Sequence, residues 1–414
     1  MLDIKFIKEN KELVKQGSDK KHIKIDIDRL LELDEKRRKL IQKVEDLRHQ
    51  INIISKGKPT AEQIKKAQKI KKEQKKLQVN LKKVGKEYNE LMLKVPIPPA
   101  LDVPEGASED DNVETRKWGK IPKFGFVPKD YITLMNNLDL LDLERGAKIG
   151  GFRQYVIKNQ AVLLEQALLK WTLDKLVKKG FMAFRPTTMI KGDILVGTGF
   201  FPSGKEETYQ VDNDLFLAGT TEVPLMGYHA NEILNEKDLP KKYVGISEAF
   251  RKEVGNYGRD AKGIMRVHEF WQTEQIIICK NDEKESIKWH EQLLKNSEEF
   301  MKALELPYRV VNVCAGELTD GQVKRYDIEA WVPSQKKYRE THSDSYLLDF
   351  QTRRLNLRYR TKKGELRFAH SLNQTAIAVP RILIPIIEIY QQKDGSIKIP
   401  KILHKYLDFK EIKK

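Results

Sequence analysis

Cysteine is almost missing from this chain: two residues in 414, Cys279 and Cys314, with no CxxC pair. That excludes a disulfide framework and a structural zinc of the usual spacing, so no zinc is expected and a reducing, cytoplasmic setting fits. Long apolar runs are missing as well. The most apolar stretch, Ala376 to Tyr390, is interrupted by Pro380, Arg381, Pro385 and Glu388, so no membrane span is expected. The opening MLDIKFIKEN lacks the apolar segment of a signal peptide. Neither GxxxxGK[ST] nor GxGxxG occurs, and any nucleotide must be held by other means. Acidic residues are scarce in one region. Residues 49–86 hold 12 lysines against Glu62 and Glu73, a local charge of +10 in a chain of net +17. Charge so concentrated points to a polyanionic partner, nucleic acid before membrane; the bland alternative is a solvated helical face.

What is present divides the chain. From Ile27 there is no Gly or Pro until Gly57, and apolar residues recur at Leu30, Leu33, Leu40, Val44, Leu47, Ile51 and Ile54, interrupted only by Arg37. After Ser55–Thr60 a second run has Ile64, Ala67, Ile70, Leu77, Leu81, Val84, Tyr88, Leu91 and Val95, with Gln74 as its polar exception. Spacings of three and four predict two helices of about 45 Å, antiparallel across a short turn, with Thr60 as N-cap. Pro96, Pro98, Pro99, Pro104 and the acidic Glu109-Asp110-Asp111 read as a linker. The boundaries expected are therefore 1–100 for the helical domain, 101–120 for the linker and 121–414 for the rest.

Beyond the linker, helices are predicted over Asn159–Lys179, Ser286–Leu304 and from about Pro380. Strands are predicted at Val244–Ile246, Gln275–Ile278, Tyr308–Val313, Ile328–Val332 and Leu355–Tyr359. Strands separated by turns predict an α+β domain on a mostly antiparallel sheet. Within it, Arg251 and Glu253 stand two residues apart, and on a strand they would share a face. They are followed by a loop with Gly255, Gly258 and Gly263, then Arg266-Val267-His268-Glu269-Phe270 and Glu274. An isolated Arg-x-Glu is more often a supporting ion pair than a site, so the surrounding residues decide.

Those residues resemble the seryl-tRNA synthetases of the common bacterial type, which are class II aminoacyl-tRNA synthetases, over essentially the whole chain. Gly151-Phe152-Arg153 with Ala161–Lys179 and the strand ending at Pro186 is similar to the first class motif. The Arg251–Phe270 segment is similar to the second, and Leu372–Thr375 through Pro380-Arg381 to Glu388 to the third. Thr220-Thr221-Glu222 matches the serine-type Thr-x-Glu. The resemblance implies an α+β fold with an N-terminal coiled-coil arm, activation of serine by ATP, and transfer of serine to the 3′ end of tRNA-Ser. Whether tRNA-Sec is also served stays open. It implies an ATP site from Arg251, Lys252, Glu253, Val267, His268, Glu269, Phe270, Glu340, Thr341, His342, Ser343 and Arg381, with Arg251, Glu253 and Arg381 catalytic. Two anions must meet, so an arginine at the α-phosphate suits the chemistry. Glu253 would accept from the adenine amino group, while Phe270 and Arg381 would cover its two faces. Glu340 and Ser343 would hold Mg²⁺. Serine would meet Thr220, Thr221, Glu222, Arg251, Glu274 and Thr375. A homodimer is implied, with the arm on the long variable arm of the tRNA.

The sequence departs from the family pattern at three places. Glu340-Thr341-His342-Ser343-Asp344-Ser345-Tyr346 carries His342 and Tyr346 where serine and asparagine are usual. Gln374 replaces a common glycine, and Trp271-Gln272-Thr273 replaces a more basic segment. Other readings are a class II enzyme for threonine or proline, a paralogue charging a carrier protein, and an inactive coiled-coil RNA-binding protein. Thr-x-Glu, the retained arm and the ending at Lys414 argue against the first two, and the intact Arg251, Glu253, Glu274, Glu340 and Arg381 against the last.

Overall fold

The computed structural model describes every residue except 58, 255–259 and 261, so Gly255 and Gly258 lie outside the described residues. The chain forms two compact units, Met1–Pro98 and Pro99–Lys414.

In the first unit, two short helices precede α1 (Ile27–Ile54) and α2 (Ala61–Met92). Helix α2 starts where it does because Thr60 and Gln63 close a capping box, each side chain accepting from the other's backbone N–H. Leu30, Leu33 and Leu40 of α1 and Ile70, Val84 and Tyr88 of α2 are buried, whereas Ile64 near the turn is 45% exposed. The seam therefore tightens away from the turn, where Ile7 and Val14 join the same cluster. Both polar exceptions are used across the pair. The Arg37 guanidinium lies 4.5 Å from the Tyr88 ring centroid, and Gln74 Nε2 donates to the Val44 carbonyl at 3.3 Å. Every lysine of α2 is exposed.

The second unit is built on an eight-stranded sheet. In chain order its strands are β1 (Val113–Trp118), β2 (Met182–Phe184), β3 (Lys241–Phe250), β4 (Glu269–Cys279), β5 (Tyr308–Asn312), β6 (Lys324–Val332), β7 (Lys337–Tyr346) and β8 (His370–Ala378). Their spatial order is β1-β5-β6-β7-β8-β4-β3-β2, antiparallel throughout except for β2 with β3. Helices α3 (Gln160–Lys178), α4 (Glu283–Ala303) and α5 (Val379–Ile389) pack against it. Central strands β4 and β8 are buried along most of their length, as a doubly covered strand requires.

Two expectations change here. Residues 113–118, read as linker, form edge strand β1, where Trp118 stacks on Tyr308 and Arg116 pairs with Glu298 at 2.8 Å. All six residues are exposed, so the strand has no apolar alternation to reveal it. The strand expected at Leu355–Tyr359 begins only at Arg358 and runs to Arg360, after a short helix at Phe350–Arg354.

Candidate active site

Strand β3 ends at Phe250, so Arg251 and Glu253 do not alternate on a strand as the sequence suggested. Arg251 N–H still bonds the His268 carbonyl at 2.9 Å, but Lys252 N–H turns away to the Glu207 carbonyl at 3.0 Å. Glu253 then takes a left-handed backbone, φ +52°, a strained conformation that functional sites often retain. The turn brings Glu253 within 3.5 Å of Arg266. It also leaves the Arg251 guanidinium 5.3 Å from the Phe270 ring centroid, with Nε donating to the Gly219 carbonyl at 2.9 Å. Gly263, at φ +88°, lets the returning chain pass Tyr131: a Cβ there would meet the Tyr131 hydroxyl oxygen at 1.7 Å.

These groups line a cavity of about 380 Å³ on one face of the sheet. Two β-bulges arrange its walls. In β7 the register skips Thr341, so Glu340 stands opposite Glu329 while Ser343 and Ser345 stand opposite Asp327 and Arg325. Residues three apart, Glu340 and Ser343, thereby share a face, which an unbroken strand would forbid. In β8 the register skips Ala376, just past Thr375, which stands directly opposite Glu274 at the end of the regular ladder that starts at Cys279 and His370; the skip moves Gln272 and Thr273 by one residue against β8. His342 joins the two irregularities. Its Nε2 donates to the Ala376 carbonyl at 3.0 Å, and Nδ1 lies 2.8 Å from the Thr341 hydroxyl. It is 1% exposed, and burial pulls the imidazole down to about 4, so it stays neutral.

Charge is divided between the two ends of the cavity. At one end stand four guanidinium groups, Arg251, Arg266, Arg325 and Arg381. Arg381 pairs with Glu340 at 2.8 Å. Burial pushes the Glu340 carboxyl up, but Arg381, Arg325, Arg251 and Arg266 outweigh it and hold it below the usual range. Glu340 in turn raises Arg381, while burial and Arg381 pull Arg251 down. At the other end lie Glu222 and Glu274, both buried. One Glu274 oxygen accepts from the Thr220 hydroxyl, from Glu222 N–H at 3.0 Å and from Gln272 Nε2 at 3.0 Å. Burial raises both carboxyls, and the neighbouring Glu274 raises Glu222 further.

Of the residues expected from the sequence, Thr220, Glu222, Arg251, Glu253, Val267, Phe270, Glu274, Glu340, Thr341, His342, Ser343, Thr375 and Arg381 border this cavity. Four others do not. Thr221 lies beneath, 2.8 Å from the Ser247 hydroxyl. Lys252 reaches over the Tyr209 ring, 5.6 Å from its centroid. His268 Nδ1 lies 2.9 Å from the Tyr209 hydroxyl, a satisfied scaffold contact, and Glu269 is exposed. Sequence reasoning missed Arg325, Gln272 and Asn373, which also border the cavity. Arg325 had a signal: Arg325, Asp327 and Glu329 alternate with Tyr326, Ile328 and Ala330, a charged face on a buried strand. Gln272 comes from the segment that departs from the family pattern. Gln374, a second departure, accepts from Gln275 Nε2 at 3.0 Å beneath the sheet and does not border the cavity.

Comparison with known proteins finds relatives along the whole chain. A model of the seryl-tRNA synthetase N-terminal domain matches residues 1–98, and a model of the class II tRNA synthetase core domain (G, H, P, S and T) matches residues 206–390. A serine–tRNA ligase of Deinococcus radiodurans is 43% identical over 419 residues, covering 100% of this chain and 99% of the relative. A solved seryl-tRNA synthetase from Pyrococcus horikoshii, complexed with ATP, superposes with a TM-score of 0.91 at 40% identity, covering 100% and 99%. A serine–tRNA ligase from Naegleria fowleri in complex with AMP gives 0.88 at 32% identity, again covering 100% and 99%.

Proposed function

The chain belongs to the seryl-tRNA synthetase family, and on that premise we propose how its cavity carries out the family's reaction. Its activity is the ATP-dependent activation of serine to seryl-adenylate and pyrophosphate, followed by transfer of serine to the 3′ end of tRNA. The nucleotide belongs at the arginine end. Arg251 would bridge the α-phosphate and the incoming serine carboxylate, offsetting the repulsion between two anions as they approach. Glu253 would take the adenine amino group, with Phe270 against one face of the base and Arg381 against the other. Arg266 and Arg325 add positive charge beside the phosphates.

Serine belongs at the carboxyl end. Glu274 and Thr375 face each other across the β4–β8 ladder, so one small hydroxyl can donate to the first and accept from the second. Glu222 is then the partner of the ammonium. A pocket built to bond a hydroxyl disfavours alanine because alanine would leave those buried groups unpaired.

The site fits Mg²⁺. Glu340 and Ser343 share a face, all the donors are oxygens, and one Asp327 carboxylate oxygen has no hydrogen-bond partner among the described residues. Two protein oxygens with phosphate oxygens completing the shell suit this ion, which when bound would neutralise phosphate charge. No cluster of three or more His, Cys, Asp or Glu arranged for a metal occurs among the described residues.

We further propose a homodimer formed through the segment similar to the first class motif. Ile149, Phe152 and Leu163 are 80%, 59% and 53% exposed there, an apolar surface that asks for a partner. The lysines of α2 would follow the phosphates of the variable arm of tRNA-Ser, and tRNA-Sec is a second acceptor to assay. No described helix is long and apolar enough to cross a membrane, and both cysteines are buried and free; the location proposed is the cytoplasm.

The convergence of four arginines opposite two buried carboxyls carries this reading. ATP–pyrophosphate exchange tests it. Exchange should require serine, and Arg251→Gln should lower it by roughly 10²–10³-fold. Exchange with threonine or proline but not serine would overturn the substrate assignment, and a near-wild-type Arg251→Gln enzyme would overturn the role of that arginine.

A further inference from the structure

Glu222 does not stand alone. Behind it, Gln351 is the second residue of the Phe350–Arg354 helix and is 1% exposed. Its Nε2 donates to Glu222 Oε1 at 2.6 Å and to the Thr198 carbonyl at 3.0 Å. Its Oε1 accepts from the Ser371 hydroxyl at 2.8 Å. A carbonyl can only accept, so the Thr198 contact fixes which end of the amide faces Glu222. With both sides of the amide engaged, the side chain has no freedom to turn away. Gln351 does not border the cavity assigned to ATP and serine; it lines a neighbouring one of about 320 Å³.

We propose that Gln351 is a positioning residue for serine activation, clamping one oxygen of Glu222 so that the other is presented to the serine ammonium. This rests on the reading of Glu222 as the ammonium partner. The groups that act on Glu222 are Glu274 on β4, Arg251 after β3, Asn373 on β8, and Gln351. Burial and Glu274 favour the protonated carboxyl, whereas Gln351, Asn373 and Arg251 favour the carboxylate. Removing the Gln351 donor therefore does two things. It frees the carboxylate to rotate, and it lets Glu222 keep a proton to higher pH, which removes the charge that serine binds.

The test is ATP–pyrophosphate exchange with the full-length enzyme, titrating serine and ATP separately between pH 6 and 9. Gln351→Met fills the space without donating. It should raise the serine KM roughly ten- to a hundredfold, the worth of a hydrogen bond to a charged group. The ATP KM should stay within about twofold, and the acid limb of kcat/KM for serine should move to higher pH. Ser371→Ala loosens the same amide from behind and should act in the same direction more weakly; it carries the test if Gln351→Met does not fold. Glu222→Gln separates the two ideas. If it leaves the serine KM unchanged, the ammonium reading fails and this inference with it. If it raises the serine KM while Gln351→Met and Ser371→Ala change neither that KM nor the acid limb, the clamp alone is refuted. Equal rises in the serine and ATP KM without a pH shift would also refute it, since they would mark a merely structural residue.

Discussion

Replacing His342 tests whether the two bulges that shape the cavity depend on one side chain. The imidazole supplies the hydrogen bond to the Ala376 carbonyl, which the bulge leaves out of the β4–β8 ladder. A serine at this position, the family's more usual residue, is too short to reach it. An unsatisfied buried carbonyl costs about 1–3 kcal/mol and the lost ring volume adds to it, so His342→Ser should destabilise by about 2–4 kcal/mol at pH 7.5. His342→Gln keeps a long donor and should fall within about 1 kcal/mol of wild type. The two proteins should then separate with pH. Burial lowers the folded-state value of His342 from 6.5 to about 4. Between those values the unfolded chain binds a proton that the folded chain refuses, so wild-type stability is complete above about 6.5 and falls as pH drops through the window. At roughly 1.4 kcal/mol per unit, wild type should lose about 2–3 kcal/mol relative to His342→Gln by pH 4.5. His290, also lowered to about 4, has the same sign; Glu165 and Asp327, each raised to about 7, lose stability as pH rises instead. All three are present in both proteins and cancel in the difference. Urea unfolding followed by tryptophan fluorescence is the assay, because all five tryptophans lie in the second unit. Parallel stability curves for wild type and His342→Gln from pH 7.5 to 4.5 would refute the argument, as would a cost below about 0.5 kcal/mol for His342→Ser.

Two further outcomes are expected. Changing Lys65, Lys69, Lys72 and Lys76 to glutamine should leave serine-dependent exchange within about twofold but raise the KM for tRNA and flatten its salt dependence, since each phosphate contact contributes about 0.7 to the slope; unchanged charging kinetics would mean that this face of α2 is only solvated. Leu163→Asp with Phe152→Asp should shift the mass measured by light scattering from dimer to monomer, and a mass that does not change would place any self-association elsewhere.

How much of this was legible in the sequence depended on whether a feature was local. The arm was legible because its signal is spacing along one segment, and even Thr60 as N-cap could be read from Glu62 and the apolar run beginning at Ile64. The order of the motifs was legible for the same reason. Strand β1 was not: its six residues are exposed and are held by what they pair with, Tyr308–Asn312, some 190 residues away. The bulges at Thr341 and Ala376 were equally hidden, because a skipped residue is defined only by the partner strand. Their effect on the site is large. Without the first, Glu340 and Ser343 would point to opposite faces; the second moves Gln272 and Thr273 by one residue against β8, just past the Glu274–Thr375 pair. Gln351 lies in a segment, Asp349–Arg354, that fits the family pattern, but its role was not legible, since it is fixed by Thr198, Ser371 and Glu222 from three separate segments.

The division of charge in the cavity also explains how an amino acid can be oriented before its side chain is read. Arg251 stands at the boundary: its charge acts on Glu222 and Glu274 on one side and on Glu340 on the other. A zwitterion entering such a field has one favourable direction, ammonium toward the carboxyls and carboxylate toward Arg251 and the phosphates. Every α-amino acid shares that dipole, so orientation alone selects nothing. On the proposed reading, selection falls to the short path between Glu274 and Thr375, where a hydroxyl would satisfy two groups that a methyl would leave unpaired. The enzyme can therefore use strong, general electrostatics for positioning and one pair of facing residues for identity. The pair is dependable because it closes a regular stretch of the β4–β8 ladder, six paired residues from Cys279 and His370 to Glu274 and Thr375.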